Sequence, residues 1–332
     1  MSELLRVDDL KVHFSQRGFS GRKRVIRAVD GVSLSIDTNE ALGIIGESGC
    51  GKSTTGRAIV HLEDPTEGRI SYRGADVTHP DAAARRAFNE KVQFVFQDPM
   101  SSLNPRMTVE SIIAEPLRAF GAWDRVTGPA RVVELLERVG LPAQFASRYP
   151  HEFSGGQRQR IGIARALALD PELLVLDEPV SALDVSVQAQ VLNLLMDLRR
   201  QQGLAYIMIS HDLDVIRHVT DRIAVMYLGV VVETGPADEV LDHPLHPYTA
   251  ALVSATPPSS PDEHRERIRL QGELPSASNP PSGCRFRTRC WRATEVCAEV
   301  VPPLEPVGDG RSRACHHPLD LGMPTIRTES AA

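Results

Sequence analysis

Residues 42–53 read Leu42-Gly43-Ile44-Ile45-Gly46-Glu47-Ser48-Gly49-Cys50-Gly51-Lys52-Ser53, an apolar run followed by a glycine-rich segment that ends in Lys-Ser. The spacing Gly46-x4-Gly51-Lys52-Ser53 is the P-loop pattern, with a buried strand before it and a helix-compatible stretch, 53–61, after it. Backbone N–H groups of such a loop surround a β-phosphate, and Lys52 places a charge between the β- and γ-phosphates. A glycine-rich turn with an exposed lysine is the alternative, and the strand, loop and helix in register argue against it. The segment therefore predicts a nucleotide site.

Composition narrows the class of protein. The 332 residues are 42% apolar and 24% charged, with a net charge of -6 and a pI near 6.0. These values are typical of a globular protein and argue against a general nucleic-acid binder. No secretory signal is evident, and no window reaches the roughly 18 apolar residues that span a bilayer. We therefore expect a cytosolic chain whose membrane association comes through a partner.

The pattern of apolar runs predicts the domain organisation. Short β-branched runs at 41–45, 92–96, 173–176, 205–209 and 223–226 alternate with helix-like stretches, which indicates a mainly parallel sheet covered by helices. Helical segments at 109–119 and 131–139 lie in a region without a convincing strand. After Gly235-Pro236 the composition shifts to Pro, Ser and Arg. We predict a nucleotide-binding domain at 1–235 with a helical subdomain at about 98–165, and a loop-rich extension at 236–332 with a frayed tail from 321.

Three polar residues follow the apolar runs of two predicted strands. Asp177 follows the run 173–176 and is placed to hold Mg²⁺, and Glu178 beside it can orient or deprotonate an attacking water. His211 follows the run 205–209, at a sheet edge where ligands collect in α/β folds. Surface acids and an ordinary polar histidine are the alternative readings.

Further motifs resemble one family. Ser154-Gly155-Gly156-Gln157 resembles the signature motif of ABC-type ATPases, and Leu4 to about Gly235 is similar to that family's nucleotide-binding subunit. The resemblance implies an α/β fold: a P-loop ABC ATPase core with an antiparallel β edge subdomain and a helical subdomain. Gln97 then matches the Q-loop glutamine, His211 the switch histidine that senses the γ-phosphate, and Ser181-Ala182-Leu183-Asp184 the D-loop.

The resemblance also implies the contacts of the nucleotide. ATP would be bound by Phe14, by residues 46–54 (Gly46, Glu47, Ser48, Gly49, Cys50, Gly51, Lys52, Ser53 and Thr54) and by Gln97. Mg²⁺ would be held by Ser53, Gln97 and Asp177, with Glu178 and His211 catalytic. Phe14 is the expected adenine platform, Phe19 is a second choice, and a core role for Phe14 is the alternative.

The signature motif has a physical rationale as half of a composite site. Ser154, Gly155 and Gly156 begin a helix predicted over 157–169, whose positive end can meet a γ-phosphate held on another chain. Two chains packed head to tail would sandwich two ATP molecules. Without a partner, Ser154-Gly155-Gly156 is a helix N-cap.

The extension resembles one branch of the family. His243-Pro244-Leu245-His246-Pro247-Tyr248-Thr249-Ala250-Ala251-Leu252, Gln271-Gly272-Glu273-Leu274-Pro275-Ser276 and Gly283-Cys284-Arg285-Phe286-Arg287-Thr288-Arg289-Cys290 are similar to segments of oligopeptide and dipeptide importer subunits. The resemblance implies ATP-driven peptide import at the cytoplasmic face of the membrane. The implied partners are two transmembrane permease subunits, a second and homologous ABC ATPase subunit, and an extracytoplasmic solute-binding protein; no nucleic acid is expected.

Four of the five cysteines, Cys284, Cys290, Cys297 and Cys315, lie in the last 50 residues. Their wide spacings differ from the C-x2-C pairs of zinc ribbons, and four thiolates can hold a [4Fe–4S] cluster, which the resemblance supports. Zinc, a mixed site with His316 and His317, and inert thiols are the alternatives.

Two kinds of rival function are open. One is a soluble, non-transport ABC ATPase or an iron–sulfur regulator that uses ATP only as a ligand. The other is an importer of the same type that carries nickel or another small solute.

Overall fold

The computed structural model describes residues 2–17, 23–98, 102–256 and 267–320. Phe19 and the tail from 321 lie outside the described residues. The chain divides into two compact units. Unit 1 contains residues 2–6, 35–41 and 70–210, and unit 2 contains residues 7–34, 42–69 and those from 211 onward. Within the described ranges, no helix combines the length and apolar character needed to cross a membrane.

Twelve strands and ten α-helices make up the regular structure of the described residues. The strands are β1 Glu3–Arg17, β2 Lys23–Asp37, β3 Ala41–Ile45, β4 Glu67–Tyr72, β5 Ala75–Asp76, β6 Val92–Val95, β7 Leu173–Asp177, β8 Ala205–Ile209, β9 Arg222–Tyr227, β10 Val230–Pro236, β11 Glu305–Gly308 and β12 Arg311–Arg313. The helices are α1 Lys52–Ile59, α2 Ala82–Lys91, α3 Val109–Ala119, α4 Gly128–Arg138, α5 Gly155–Ala166, α6 Val185–Gln202, α7 Leu213–Val219, α8 Ala237–Asp242, α9 Pro247–Ser254 and α10 Val296–Glu299. Strands β1, β2 and β4 contribute residues to both units.

Unit 1 is built on the parallel strands β6, β7 and β8. Leu173 of β7 lies opposite Val92 on one side and Ala205 on the other. Every residue of β7 and of β8 is buried, as expected for parallel strands covered on both faces. In the same unit, β4 pairs antiparallel with β5. The strands expected from the three apolar runs in this part of the sequence are confirmed.

The region between β6 and β7 is helical, as expected. α3 spans the predicted residues, because the Thr108 side chain accepts from the Ser111 N–H and so fixes the first turn. α4 begins three residues earlier than expected, with a proline in its first turn. α5 begins at Gly155, and residues 167–169 form a 3-10 turn rather than a continuation of the α-helix.

Unit 2 contains a sheet that the C-terminal extension enlarges. β3 pairs parallel with β9, β9 antiparallel with β10, and the neighbouring pairs that follow, β10 with β12 and β12 with β11, are antiparallel. The extension was expected to be loop-rich. It does contain long irregular stretches, but β11 and β12 join the sheet, and α8 begins directly after β10.

Aromatic and ionic contacts anchor the extension within unit 2. The rings of Tyr227, Tyr248 and Phe286 form a cluster with centroid distances of 4.7, 5.2 and 5.4 Å. All three rings are fully buried. The carboxylate of Glu233, also buried, accepts from Arg311 at 3.0 Å and from the N–H of Leu245 at 2.9 Å. A buried charge of this kind is tolerated because it is paired and hydrogen-bonded.

Candidate functional site

The P-loop of unit 2 connects β3 to α1. Gly46 and Gly51 adopt φ values of 149° and 106°, which favour glycine. A Cβ at Gly46 would lie 2.2 Å from the carbonyl oxygen of Met226, and a Cβ at Gly51 would lie 2.2 Å from that of Ala28. Both positions therefore require glycine for space as well as for conformation, and the loop passes close to two other backbone segments.

Lys52 is buried at the first position of α1. Its ammonium donates to the carbonyl oxygens of Gly46 at 2.7 Å and Glu47 at 3.1 Å. The side chain is thus folded back over the loop and holds a positive charge at its centre. A phosphate that entered the loop would meet this charge together with the N-terminal end of an eight-residue helix.

The other side chains of the loop differ in exposure. Ser48 and Gly49 are exposed, and Ser53 and Thr54 are half-buried. Cys50 is buried, its N–H donates to the Glu47 carbonyl at 3.2 Å, and burial raises the pKa of its thiol. The cysteine is therefore a packing residue of the loop, remote in sequence from the other four.

The acidic pair lies at the end of β7 in unit 1. Asp177 is buried, and Glu178 has a left-handed backbone with φ of 46°. The Glu178 N–H donates to the Ile209 carbonyl at 3.0 Å, and the Ser181 hydroxyl donates to the Glu178 carbonyl at 3.1 Å. Such a conformation costs about 1–3 kcal/mol in a non-glycine residue and is concentrated at functional sites.

Gln97 and Glu178 are brought together within unit 1. The Gln97 amide donates to a Glu178 carboxylate oxygen at 2.8 Å, although the two residues are 81 positions apart. The contact fixes the direction of the carboxylate. It also leaves the amide carbonyl oxygen as the Gln97 atom suited to a metal ion.

The signature motif begins α5, as predicted. The Ser154 hydroxyl accepts from the Gln157 N–H at 3.3 Å, and the Gln157 side chain accepts from the Ser154 N–H at 3.0 Å. This capping box satisfies two N–H groups at the start of the helix. Ser154 is exposed and Gly156 is buried.

The D-loop packs beside the signature motif in unit 1. A Cβ at Gly155 would lie 3.3 Å from a Leu183 methyl carbon, and a Cβ at Gly156 would lie 1.9 Å from one of Val187. Ser181, Ala182 and Asp184 are exposed. Both motifs therefore present polar groups at one surface region while their glycines allow close packing beneath it.

Phe14 and His211 both belong to unit 2. The Phe14 side chain is 38% exposed, so it is not the core residue of the alternative reading. Its neighbour His13 bonds to the Asp30 carboxylate at 2.7 Å. His211 is exposed and lies just before Asp212, whose side chain caps α7.

The four cysteines of the extension share one electrostatic neighbourhood in unit 2. Burial, then neighbouring thiols, raise the pKa values of Cys284, Cys290 and Cys315, the last to about 11. The Cys284 N–H donates to the Cys297 carbonyl at 2.8 Å. The thiols of this segment therefore influence one another electrostatically.

The described residues of this region do not form a metal-binding group. Among the described residues, no group of three or more His, Cys, Asp or Glu side chains is placed to hold a metal ion. His316 bonds to the Val300 carbonyl at 3.0 Å and His317 to the Thr294 hydroxyl at 2.7 Å. The described side chains therefore give no support to zinc, to the mixed cysteine–histidine site or to the [4Fe–4S] cluster.

Comparison with known proteins gives the class and the family. Residues 29–181 match the model of the ABC transporter family, and residues 232–297 match that of the oligopeptide/dipeptide transporter C-terminal region. A dimeric ATP-binding cassette in a post-hydrolysis state, bound to ADP and phosphate, has a TM-score of 0.63 and 30% identity over 70% of this chain and 99% of its own. The fold and the P-loop thus define an ATP-binding cassette.

Full-length relatives narrow the class further. The putative oligopeptide transport ATP-binding protein YkfD of Bacillus subtilis is 54% identical over 94% of this chain and 95% of its own. The dipeptide transport ATP-binding protein DppF of Haemophilus influenzae is 50% identical over 95% and 96%, and the oligopeptide transport ATP-binding protein OppF of Salmonella typhimurium is 53% identical over 91% and 92%. The chain belongs to the ABC transporter family, in the branch of oligopeptide and dipeptide transport ATP-binding proteins, and is an ATPase coupled to transport.

Sequence reasoning missed the residues that hold the P-loop from the extension. The Arg289 guanidinium binds the Glu47 carboxylate at 2.7 and 3.1 Å, and the Tyr248 hydroxyl accepts from the Glu47 N–H at 2.8 Å. The Arg289–Glu47 contact spans 242 positions. Glu47, the only acidic residue within 46–53, was the one available signal, because a carboxylate beside a phosphate site needs a cation to compensate it.

Proposed function

We propose that this chain hydrolyses ATP to power the import of di- or oligopeptides through a membrane ABC importer. The observation that carries the proposal is the oligopeptide/dipeptide C-terminal region, 232–297, on a cassette with an intact P-loop and signature motif. Relatives of about 50% identity along nearly the whole chain bear peptide-transport names. Identity at this level over matching lengths supports a shared class of cargo.

We propose roles for the residues that bind the nucleotide. The P-loop N–H groups and Lys52 bind the phosphates, and Phe14 stacks on the adenine. Ser53, Gln97 and Asp177 offer hydroxyl, amide and carboxylate oxygens, the donors that Mg²⁺ prefers. Magnesium, when bound with ATP, neutralises charge on the phosphate oxygens.

Glu178 is proposed as the general base. Its carboxylate accepts a proton from the attacking water. The Gln97 amide orients that carboxylate by donating a hydrogen bond to it at 2.8 Å. His211 is proposed to contact the γ-phosphate. The left-handed backbone at Glu178 supports this role, since strain of this kind is maintained where geometry matters more than stability.

The signature motif is proposed to act on the ATP of a second subunit. The exposed Ser154 and the N-terminal end of α5 offer a hydroxyl and positive potential to a phosphate on another chain. We propose that the second subunit is a homologous ATPase. We propose two transmembrane permeases and an extracytoplasmic solute-binding protein as the further partners. The chain would then lie at the cytoplasmic face of the membrane, held by the permeases.

A [4Fe–4S] cluster is proposed for the extension. Cys284, Cys290, Cys297 and Cys315 would hold it, and the cluster, when bound, would cross-link a proline-rich segment with little core of its own. Iron and sulfide analysis of the anaerobically purified chain tests this, with the Cys290→Ser variant as the comparison. A chain that carries no iron, and a variant with unchanged fold and colour, would each refute the cluster.

Transport in the native host tests the main proposal. The chain is tagged and isolated from membranes in mild detergent, and labelled dipeptide and oligopeptide uptake is measured in cells that carry only the Lys52→Ala or Glu178→Gln variant. We expect two permeases and a second ATPase to co-purify, and peptide uptake to stop in both variants. Recovery without permeases would refute the transport role, and loss of nickel uptake instead of peptide uptake would refute the cargo.

A further inference from the structure

Every polar group of Glu47 is bound by another residue. Its carbonyl oxygen accepts from Lys52 at 3.1 Å, its N–H donates to the Tyr248 hydroxyl at 2.8 Å, and its carboxylate binds Arg289. Two of these three contacts come from the C-terminal extension. Since Glu47 follows the first glycine of the P-loop, the extension holds the loop at the point where it leaves β3.

The Arg289 guanidinium both neutralises and orients the Glu47 carboxylate. Nη1 donates to one carboxylate oxygen at 2.7 Å and Nη2 to the other at 3.1 Å, and the Arg289 side chain is only 10% exposed. A bidentate pair fixes the plane of both groups, which a single ammonium cannot do. The Glu47 side chain is 30% exposed, so water screens the pair in part and the bidentate geometry carries more of the argument than the burial.

The Tyr248 contact is equally constrained. The hydroxyl projects from α9, and the ring is fully buried between Tyr227 and Phe286. A buried ring of this kind cannot swing to follow the loop. The Glu47 N–H is therefore held by an acceptor whose position is set by the aromatic cluster of unit 2.

A second arginine of the extension reaches the other side of the loop. Arg285 binds the Asp30 carboxylate and the Leu228 carbonyl. Gly229, which follows Leu228, accepts from the Asp30 N–H at 2.8 Å and donates its own N–H to the Cys50 carbonyl at 2.8 Å. Extension residues thus support the P-loop at both Glu47 and Cys50.

We propose that Arg289 and Tyr248 are positioning residues for ATP binding, which hold the P-loop through Glu47 in the shape that accepts the phosphates. The inference rests on the proposed role of the P-loop and goes beyond it, because it assigns the C-terminal extension a part in nucleotide affinity. Neither residue touches the phosphates. Their effect is on the fraction of chains whose loop is ready to bind, which lowers the apparent affinity when that fraction falls.

The test measures equilibrium binding of TNP-ATP to the full-length chain, with steady-state ATP hydrolysis as a second readout. Arg289→Ala should raise the Kd about tenfold or more, since a charge-assisted bidentate contact is lost. It should raise KM with kcat little changed, because ground state and transition state lose the same binding. Arg289→Lys should fall between Arg289→Ala and the wild type, and Tyr248→Phe should show a smaller increase in Kd.

Arg287→Ala is the matched control. Arg287 lies in the same segment but bonds to Ser282, within the extension, at 2.9 and 3.2 Å, so its loss should leave the Kd unchanged. The coupling between Arg289 and Glu47 is checked with the single variant Glu47→Gln and with the double variant Glu47→Gln/Arg289→Ala. The Kd of the double variant should be no higher than that of the single variants. Unchanged Kd in both Arg289→Ala and Tyr248→Phe would overturn the proposal.

Two further comparisons distinguish a failure of the positioning role from unfolding of the variant and from a failure of the nucleotide site. Tyr248→Phe removes one oxygen and keeps the ring, so it reports on positioning even where Arg289→Ala lowers the unfolding temperature. Lys52→Ala tests the P-loop itself. If the wild type and Lys52→Ala bind TNP-ATP equally, the proposed nucleotide site fails; if only Lys52→Ala loses binding, the site stands and the positioning role fails.

Discussion

Replacement of Gly156 by alanine tests whether the second signature glycine is required for packing inside the chain. A Cβ there would lie 1.9 Å from a Val187 methyl carbon, whereas ordinary carbon contacts lie at about 3.5–4.0 Å. Either group must therefore move by about 2 Å. Val187 is β-branched and has few alternative rotamers, so we expect the start of α5 to be displaced together with the Ser154 cap.

The expected cost is that of an overpacked contact. Gly156→Ala should lower the free energy of unfolding by about 1–3 kcal/mol. Val187→Ala removes the opposing methyl groups, so the double variant should recover part of that loss, with a coupling energy of about 0.5–3 kcal/mol. ATP hydrolysis by the assembled transporter should follow the same order, low in the single variant and partly restored in the double.

Urea unfolding and ATPase rates of the wild type, the two single variants and the double variant provide the measurement, and Gly162→Ala is the control. Gly162 lies in the same helix, and a Cβ there would meet no atom within 4 Å. Alanine at that position should be neutral or stabilise the helix by up to about 1 kcal/mol. If Val187→Ala restores neither stability nor activity to Gly156→Ala, the packing argument is refuted, and Gly156 is needed for contact with a partner.

Three further outcomes follow from the structure. Glu178→Gln should lower the ATPase rate by about a hundredfold or more while ATP still binds, whereas Glu172→Gln at the other end of β7 should not; an active Glu178→Gln variant would contradict the general-base role. Phe14→Ala should weaken ATP binding by about tenfold and Phe14→Trp should preserve it, so equal affinity in both would contradict adenine stacking. His246 is fully buried and burial lowers its pKa to about 3, so below pH 6.5 the unfolded chain takes up a proton that the native chain does not. Stability is therefore complete above pH 6.5 and falls as the pH drops toward 3, by about 2 kcal/mol at pH 5; urea unfolding should show a smaller loss in His246→Asn, and an equal loss would exclude His246 as the cause.

Much of the core and the P-loop could be predicted because their signals are local. The runs at 173–176 and 205–209 are continuous and apolar, and they form buried parallel strands that each end near a polar residue. Helix 109–119 has a threonine cap and an apolar face within eleven residues. Such elements can be predicted because the segment that carries the apolar pattern is also the segment that forms the strand or helix.

The support of the P-loop by the extension could not be predicted in this way. Glu47 and Arg289 are 242 positions apart, and neither stands in a pattern that names the other. β12 reads Arg-Ser-Arg, without the apolar alternation that marks a strand, and forms because β10 offers a backbone edge to it. The number of the four thiols predicts a ligand set, while their placement shows no metal-binding group among the described residues.

The pairing of β10 with β12 has a consequence for the synthesis of the chain. Until β12 leaves the ribosome, the outer edge of β10 presents unpaired N–H and C=O groups, which is the feature that promotes aggregation of sheet proteins. At ordinary translation rates that interval is on the order of ten seconds. A fragment that stops near Pro236 would keep this edge open permanently, so a truncated cassette should associate with itself even where its nucleotide loop is intact.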